Sequence, residues 1–198
     1  MATDGQLSGI EHIRGILQRV VAGLGPDDLD RQVFPDSKTI GEILLHVAGF
    51  EHLIVTCAQW QRRPRLADAE SAWPLLKPGF AREAGFRPPR GHRLEDYLGW
   101  LSATRDRTLT FLADDAAPAI RAKDFPIAPV AAALHARHPD DDAACYRRLA
   151  LGIQSSFADD GVVDHRGLVA VQALLGLHET YHRGQITLSK YILSRLRR

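Results

Sequence analysis

Cysteine and methionine are scarce in this chain, which has two of the first and one of the second among 198 residues. Cys57 and Cys145 form no C-x-x-C pair, so no disulfide framework is expected, and Cys57 reads as a plain core thiol. An excess of charge of one sign is also missing. The 25 Lys and Arg against 24 Asp and Glu leave a net charge of +1, so there is no strong field to hold nucleic acid. No basic segment followed by an apolar run opens the sequence, and no apolar stretch is expected to approach a membrane span, which points to a cytoplasmic protein without membrane association. Internal repeats, low-complexity tracts and convincing strands are absent. What is present is ordinary globular material, 45% hydrophobic and 25% charged. The length suits one domain, 1–198, that buries a core without staples.

The apolar residues recur at helical spacing. A first helix is expected over Leu7 to Leu24, with Ile10, Ile13, Leu17, Val20 and Leu24 on one stripe, ended by Gly25-Pro26-Asp27-Asp28. Gly23 to Asp28 lacks the third glycine of a dinucleotide loop and follows a helix, so no such cofactor is inferred. A second helix starts at Ser37 or Thr39, where a hydroxyl can cap it, and runs to Arg62. A third covers Leu94 to Ala113, with an inward face of Leu94, Tyr97, Leu98, Leu101, Thr108, Phe111 and Leu112. The last is capped by Asp164 and reaches the basic tail Arg195 to Arg198.

The connection Arg63 to Arg93 has five prolines along with Trp73, Phe80 and Phe86. It either lays aromatic contacts across the bundle mouth or packs as a surface excursion with a short helix. Between Pro118 and Asp164 short helices are expected near Val130 to Arg137 and Asp141 to Phe157. Beside them His135 and His138 flank an acid run, Asp140 to Asp142, which reads as a solvated helix cap and not a second metal cluster. The fold class is all-α: a four-helix bundle with additional short helices in long connections.

The chemistry concentrates in His178-Glu179-Thr180-Tyr181-His182-Arg183-Gly184-Gln185. Histidines four apart on a helix stack on one face, within reach of one metal ion. The segment also fits the H-E-x-x-H protease signature, but no acid or histidine follows His182 to serve as a third ligand. The stripe through Leu168, Val171, Leu175, His178, His182, Gln185, Ser189, Ile192 and Leu196 is apolar at both ends and polar in the middle. On the second helix the stripe Ile43, His46, Phe50, Leu53, Cys57, Trp60 is interrupted by a single histidine. Three imidazoles from two helices make a metal site with an open position, suited to zinc or nickel, with iron and cobalt as further candidates. His12, His52, His92 and His165 have no comparable setting. Glu42, one turn before His46, either orients that ring or is solvated.

The HETYHRGQ segment and Ser37 to Ile54, SKTIGEILLHVAGFEHLI, resemble the DinB-like superfamily, which includes YfiT-type proteins. The resemblance frames Gln6 to Arg198 and is specific at those two stretches. It implies a four-helix bundle that binds a divalent metal through His46, His178 and His182, and a homodimer. It also implies an activity, since relatives include thiol-dependent S-transferases and isomerases. A low-molecular-weight thiol would then be a second cofactor, with a small molecule as substrate.

Three functions stay open at this level. In a bacillithiol- or mycothiol-type S-transferase the metal lowers a thiol's pKa. In a metal-dependent hydrolase the metal activates water and Glu179 takes the proton. The third is a binding protein without turnover. Whichever holds, Gln185, one turn beyond His182 on the same stripe, holds a metal-bound water or a ligand ring, or makes an interhelix hydrogen bond. Glu179 lies about 100° around the helix from His178, so a salt bridge is its alternative role. Gly184 is expected to permit close helix approach.

Overall fold

A computed structural model describes residues 4–60, 73–113, 127–159 and 167–197. They form helices and, among the described residues, no strand. In chain order these are α1 (Asp4–Val21), α2 (Pro26–Asp30), α3 (Ile40–Trp60), α4 (Trp73–Leu76), a 3-10 turn (Lys77–Phe80), α5 (Ala81–Ala84), α6 (Leu94–Ala113), α7 (Ile127–Arg137), α8 (Ala143–Asp159) and α9 (Gly167–Leu196). The expected Asp164 cap lies outside the described residues, as does the chain just beyond Trp60.

The four long helices close a ring, with α1 packed on α6 and α9, and α3 packed on the same two. On the outer side of α3 sit the 3-10 turn, α4 and α7, with α8 paired to α7 and resting on α5. As a result α3 is buried on every face from Ile40 to Ala58. A helix that is apolar all round requires such a setting. By length and composition α3 could cross a bilayer, contrary to the expectation that no stretch would, but 94% of its most apolar window is buried within the protein. Its apolarity is that of a core helix.

Local chemistry fixes where α3 begins. The Glu42 amide donates to Thr39 Oγ1 at 3.1 Å and the Thr39 amide to Glu42 Oε2 at 2.6 Å, a reciprocal capping box. Arg82 adds an ion pair to Glu42 at 3.3 Å. Glu42 is thus neither solvated nor a partner of His46, because both its oxygens are spent on the helix start and on Arg82. Two glycines let the 3-10 turn lie flat on α3. A Cβ on Gly79 would stand 2.6 Å from the Leu45 carbonyl and 2.7 Å from the His46 amide, and one on Gly49 would meet the Phe80 ring at 2.5 Å.

The core is not continuous. One apolar cluster holds Ile10, Phe50, Leu53, Phe111, Leu112, Leu174 and Leu175. The other holds Leu17, Val21, Leu44, Leu101, Ile186 and Leu193. Between them each bundle helix contributes one buried charge: Arg14 from α1, Glu51 from α3, Arg105 from α6 and Glu179 from α9. Arg14 reaches Glu51 at 2.6 Å and Glu179 at 2.7 Å, and Arg105 reaches the same two acids at 2.9 and 2.8 Å. The spare guanidinium arms donate to backbone carbonyls, Arg14 to Leu101 at 2.5 Å and Arg105 to Ile10 at 2.6 Å. Two cations and two anions cancel, and each acid is shared by both arginines. That closure is what makes ions tolerable at this depth.

The inward stripe of α1 is therefore Ile10, Arg14, Leu17 and Val21, rotated from the expected one, since Ile13 and Val20 are only half-buried. α8 is held by Asp141, which pairs with Lys77 at 2.9 Å and accepts from the Tyr146 hydroxyl at 2.9 Å. Of the acid run, Asp142 caps α8 through the Ala144 amide as expected, while Asp141 is a tether and not solvated.

Candidate metal centre

Successive residues on a helix point about 100° apart, and two adjacent pairs here use that angle to serve two environments. On α9, Glu179 turns into the charged layer while His178 faces outward; on α3, Glu51 does the same while Phe50 faces outward. His178 and Phe50 stack with ring centroids 3.7 Å apart and planes 14° from parallel. His46 lies one turn back on α3, with the Phe80 ring edge-on at 5.0 Å. His182, one turn beyond His178, completes a group whose ligating atoms lie within 4.8 Å of one another.

The rings converge through Nε2. His178 Nε2 lies 3.2 Å from His46 Nε2 and 3.1 Å from His182 Nε2. Nitrogens bound tetrahedrally to one zinc ion would lie about 3.3 Å apart. His182 Nδ1 sits 2.8 Å from Gln185 Oε1, which accepts only if Nδ1 carries the proton. That leaves His182 Nε2 as a lone pair. His178 Nε2, were it protonated, can satisfy one neighbour and not both, so lone pairs face each other without a shared proton. His46 is buried, with the Gly79 backbone as a polar neighbour that favours its protonated ring. A cation at the focus satisfies this donor set, and these residues fit a divalent metal ion.

Electrostatics agree with that fit. Burial, then the Lys38 ammonium and the two neighbouring rings, hold His46 well below the ordinary 6.5. Burial, His182 and Lys38 do the same to His178. Burial lowers His182 to about 4 against the pull of Gln185, with Lys38 contributing. All three rings are neutral at pH 7, the form that binds a metal.

The trio forms part of the wall of a cleft of about 880 Å³, together with Phe34, Ser37, Lys38, Glu83, Leu177 and Tyr181 and the buried rings of Phe50 and Phe80. Lys38 and Glu83 form an ion pair there. Phe80 brings the Arg63 to Arg93 connection into the site, whereas Trp73 packs in the core against Tyr146.

Of the residues expected at the site, His46, His178 and His182 come together. Gln185 lines the cleft, but its carbonyl is committed to His182 and its amide donates to the Tyr181 hydroxyl at 3.0 Å, so it orients a ring. Glu179 is elsewhere: it is 2% exposed, does not line the cleft and is held by both arginines, so it takes the salt-bridge alternative to the role of base. Gly184 faces open space, and no neighbouring helix approaches it. Cys57 is a buried thiol that desolvation pushes up to about 12. Sequence reasoning missed Lys38 and Glu83, which have no periodic pattern of their own.

A family model described as the DinB superfamily matches residues 10–138, more than half the chain. The chain belongs to the DinB superfamily. The match includes His46 and ends before His178 and His182, so two of the three histidines lie beyond the matched segment. No curated protein and no solved structure matches this DinB superfamily chain.

Proposed function

We propose that this protein is a metal-dependent thiol S-transferase acting on a small-molecule electrophile, with zinc or nickel held by His46, His178 and His182. The observation that carries the reading is the focus of three neutral imidazoles on an open cleft of about 880 Å³. That volume lies at the upper end for small-molecule sites and accommodates a thiol beside a second substrate. A divalent ion bound there would supply one thing, a lowered pKa for a thiol that joins its coordination sphere.

The chain's own residues do the rest. Gln185 holds the His182 tautomer, Phe50 fixes the plane of His178, and Gly79 seats the Phe80 ring against His46. No cysteine thiol lies at the cleft among the described residues, since both cysteines are buried and neither lines it. The nucleophile is therefore brought in as a cosubstrate. Hydrolysis with Glu179 as base loses support because that carboxylate is bound to Arg14 and Arg105.

Elemental mass spectrometry comes first, on wild type and on His46→Ala, His178→Ala and His182→Ala. About one metal per chain, lost in each variant, is the expected result. Loaded protein is then offered low-molecular-weight thiols with monochlorobimane, where the sulfur displaces chloride and fluorescence reports the thioether. Metal retention with no thioether above the uncatalysed rate, across bacillithiol, mycothiol, glutathione and cysteine, would sink the transferase reading and leave a binding protein.

A further inference from the structure

Resting on the reading that this cleft is the working site, we propose that it takes a small organic acid, whose carboxylate replaces Glu83 on Lys38 while its apolar body lies along Phe34, Leu177 and Leu188, the large apolar side chains that the cleft leaves exposed. Lys38 is the only cation among the described residues that line the cleft. Its side chain is 18% exposed, so much of its hydration is already stripped away, and its counter-charge is Glu83. It also lines the same cleft as all three imidazoles. A group anchored on Lys38 is thereby delivered beside the metal position.

The partner carboxylate is poorly fixed. Glu83 comes from the four-residue helix α5, directly after the 3-10 turn, and its side chain is 35% exposed. One oxygen meets Lys38, while Oε2 is buried with no hydrogen-bond partner. An unsatisfied buried carboxylate oxygen is costly, and turning Glu83 outward relieves that cost. The Lys38–Glu83 pair therefore exchanges: an incoming carboxylate restores the lysine's counter-charge, and Glu83 regains water. The rest of the lining mixes Asp36, Ser37, Gln185 and Ser189 with the exposed apolar side chains Phe34, Leu177 and Leu188. This selects an acid carrying an apolar body, and a highly polar one leaves those faces uncovered.

The test is calorimetric titration with benzoate and with benzamide, its neutral counterpart of the same shape, on zinc-loaded protein whose zinc content and melting curve are recorded. Benzoate is expected to bind at least tenfold more tightly than benzamide. Lys38→Met should bring the two together with zinc content unchanged, and Glu83→Gln, which removes the competing charge, should tighten benzoate severalfold. Equal binding of the two ligands by wild type overturns the proposal. So does undiminished benzoate affinity in Lys38→Met, which would mean that the metal alone holds the acid. Thioether formation without Lys38-dependent acid binding defeats this inference and spares the transferase reading. Lys38-dependent binding without thioether formation does the reverse.

Discussion

Two polar groups interrupt the apolar interior of this bundle, and they differ in whether they are finished. In the charged layer two arginines and two glutamates satisfy one another, and the remaining guanidinium arms take backbone carbonyls. In the histidine trio three rings turn lone pairs toward a common point, and nothing among the described residues completes them. A closed network resists every ligand, while an open one waits for one. Adjacent residues of α3 and α9 feed both, so stability and ligand binding are separated by one residue of rotation and not by distance along the chain.

The largest effect should come from opening the closed group. Arg105→Ala leaves Glu51 and Glu179 with half their counter-charge, at a cost of about 3–5 kcal/mol. Denaturant unfolding monitored by helical circular dichroism reads it, and a loss under 1 kcal/mol would mean the layer is not the closed unit described. Closing the open group comes next. Zinc at 100 to 1,000 times its dissociation constant should stabilise wild type by about 2.7–4.1 kcal/mol, and His178→Ala should show no such gain.

Acid should separate the two groups without mutation. Burial alone would raise the Glu51 carboxyl, but Arg14 and Arg105 outweigh it and hold the group below its ordinary 4.5. Its stabilising contribution is thus complete above the unfolded value and is lost as pH falls through the lower folded one. The histidine rings act earlier. In metal-free protein His182 titrates near 4 folded against 6.5 unfolded, so the unfolded chain takes up the proton first and stability declines as pH drops from 6.5 toward 4. Unfolding free energies at half-unit steps from pH 7 to 3 should show both windows, the upper one smaller in His182→Ala. The smallest effect expected is that of Gln185→Leu, which frees the His182 tautomer. Zinc affinity should fall about 10- to 100-fold with the melting curve of metal-free protein little changed.

The helices were legible because their signals are local. The third long helix has the expected bounds, Leu94–Ala113, and Thr39 caps α3. His46, His178 and His182 were legible because a lone polar ring on an apolar stripe stands out. The charged layer was not, since a charge is ordinarily assigned to solvent. Yet Arg14 falls between Ile10 and Leu17, and Arg105 between Leu101 and Thr108, each on its own helix's inward stripe. Those spacings were the available signal. Glu83 and Lys38 left none, because neither belongs to a long helix and only the tertiary fold brings them to the cleft. Glu179 misled for a related reason: its neighbours in sequence suggested chemistry, while its neighbours in space are arginines.

The position of α9 along the chain sets a schedule for biosynthesis. Of the four bundle helices it leaves the ribosome last, and it carries both Glu179 and two of the three ligand histidines. A nascent chain that has emerged only through α8 therefore holds two arginines against one glutamate at the centre of its future core, and a solitary His46. Neither polar group can form before the final helix arrives. The two halves of the apolar core stay unsealed for the same interval, and apolar surface left open in that way favours aggregation of a growing chain.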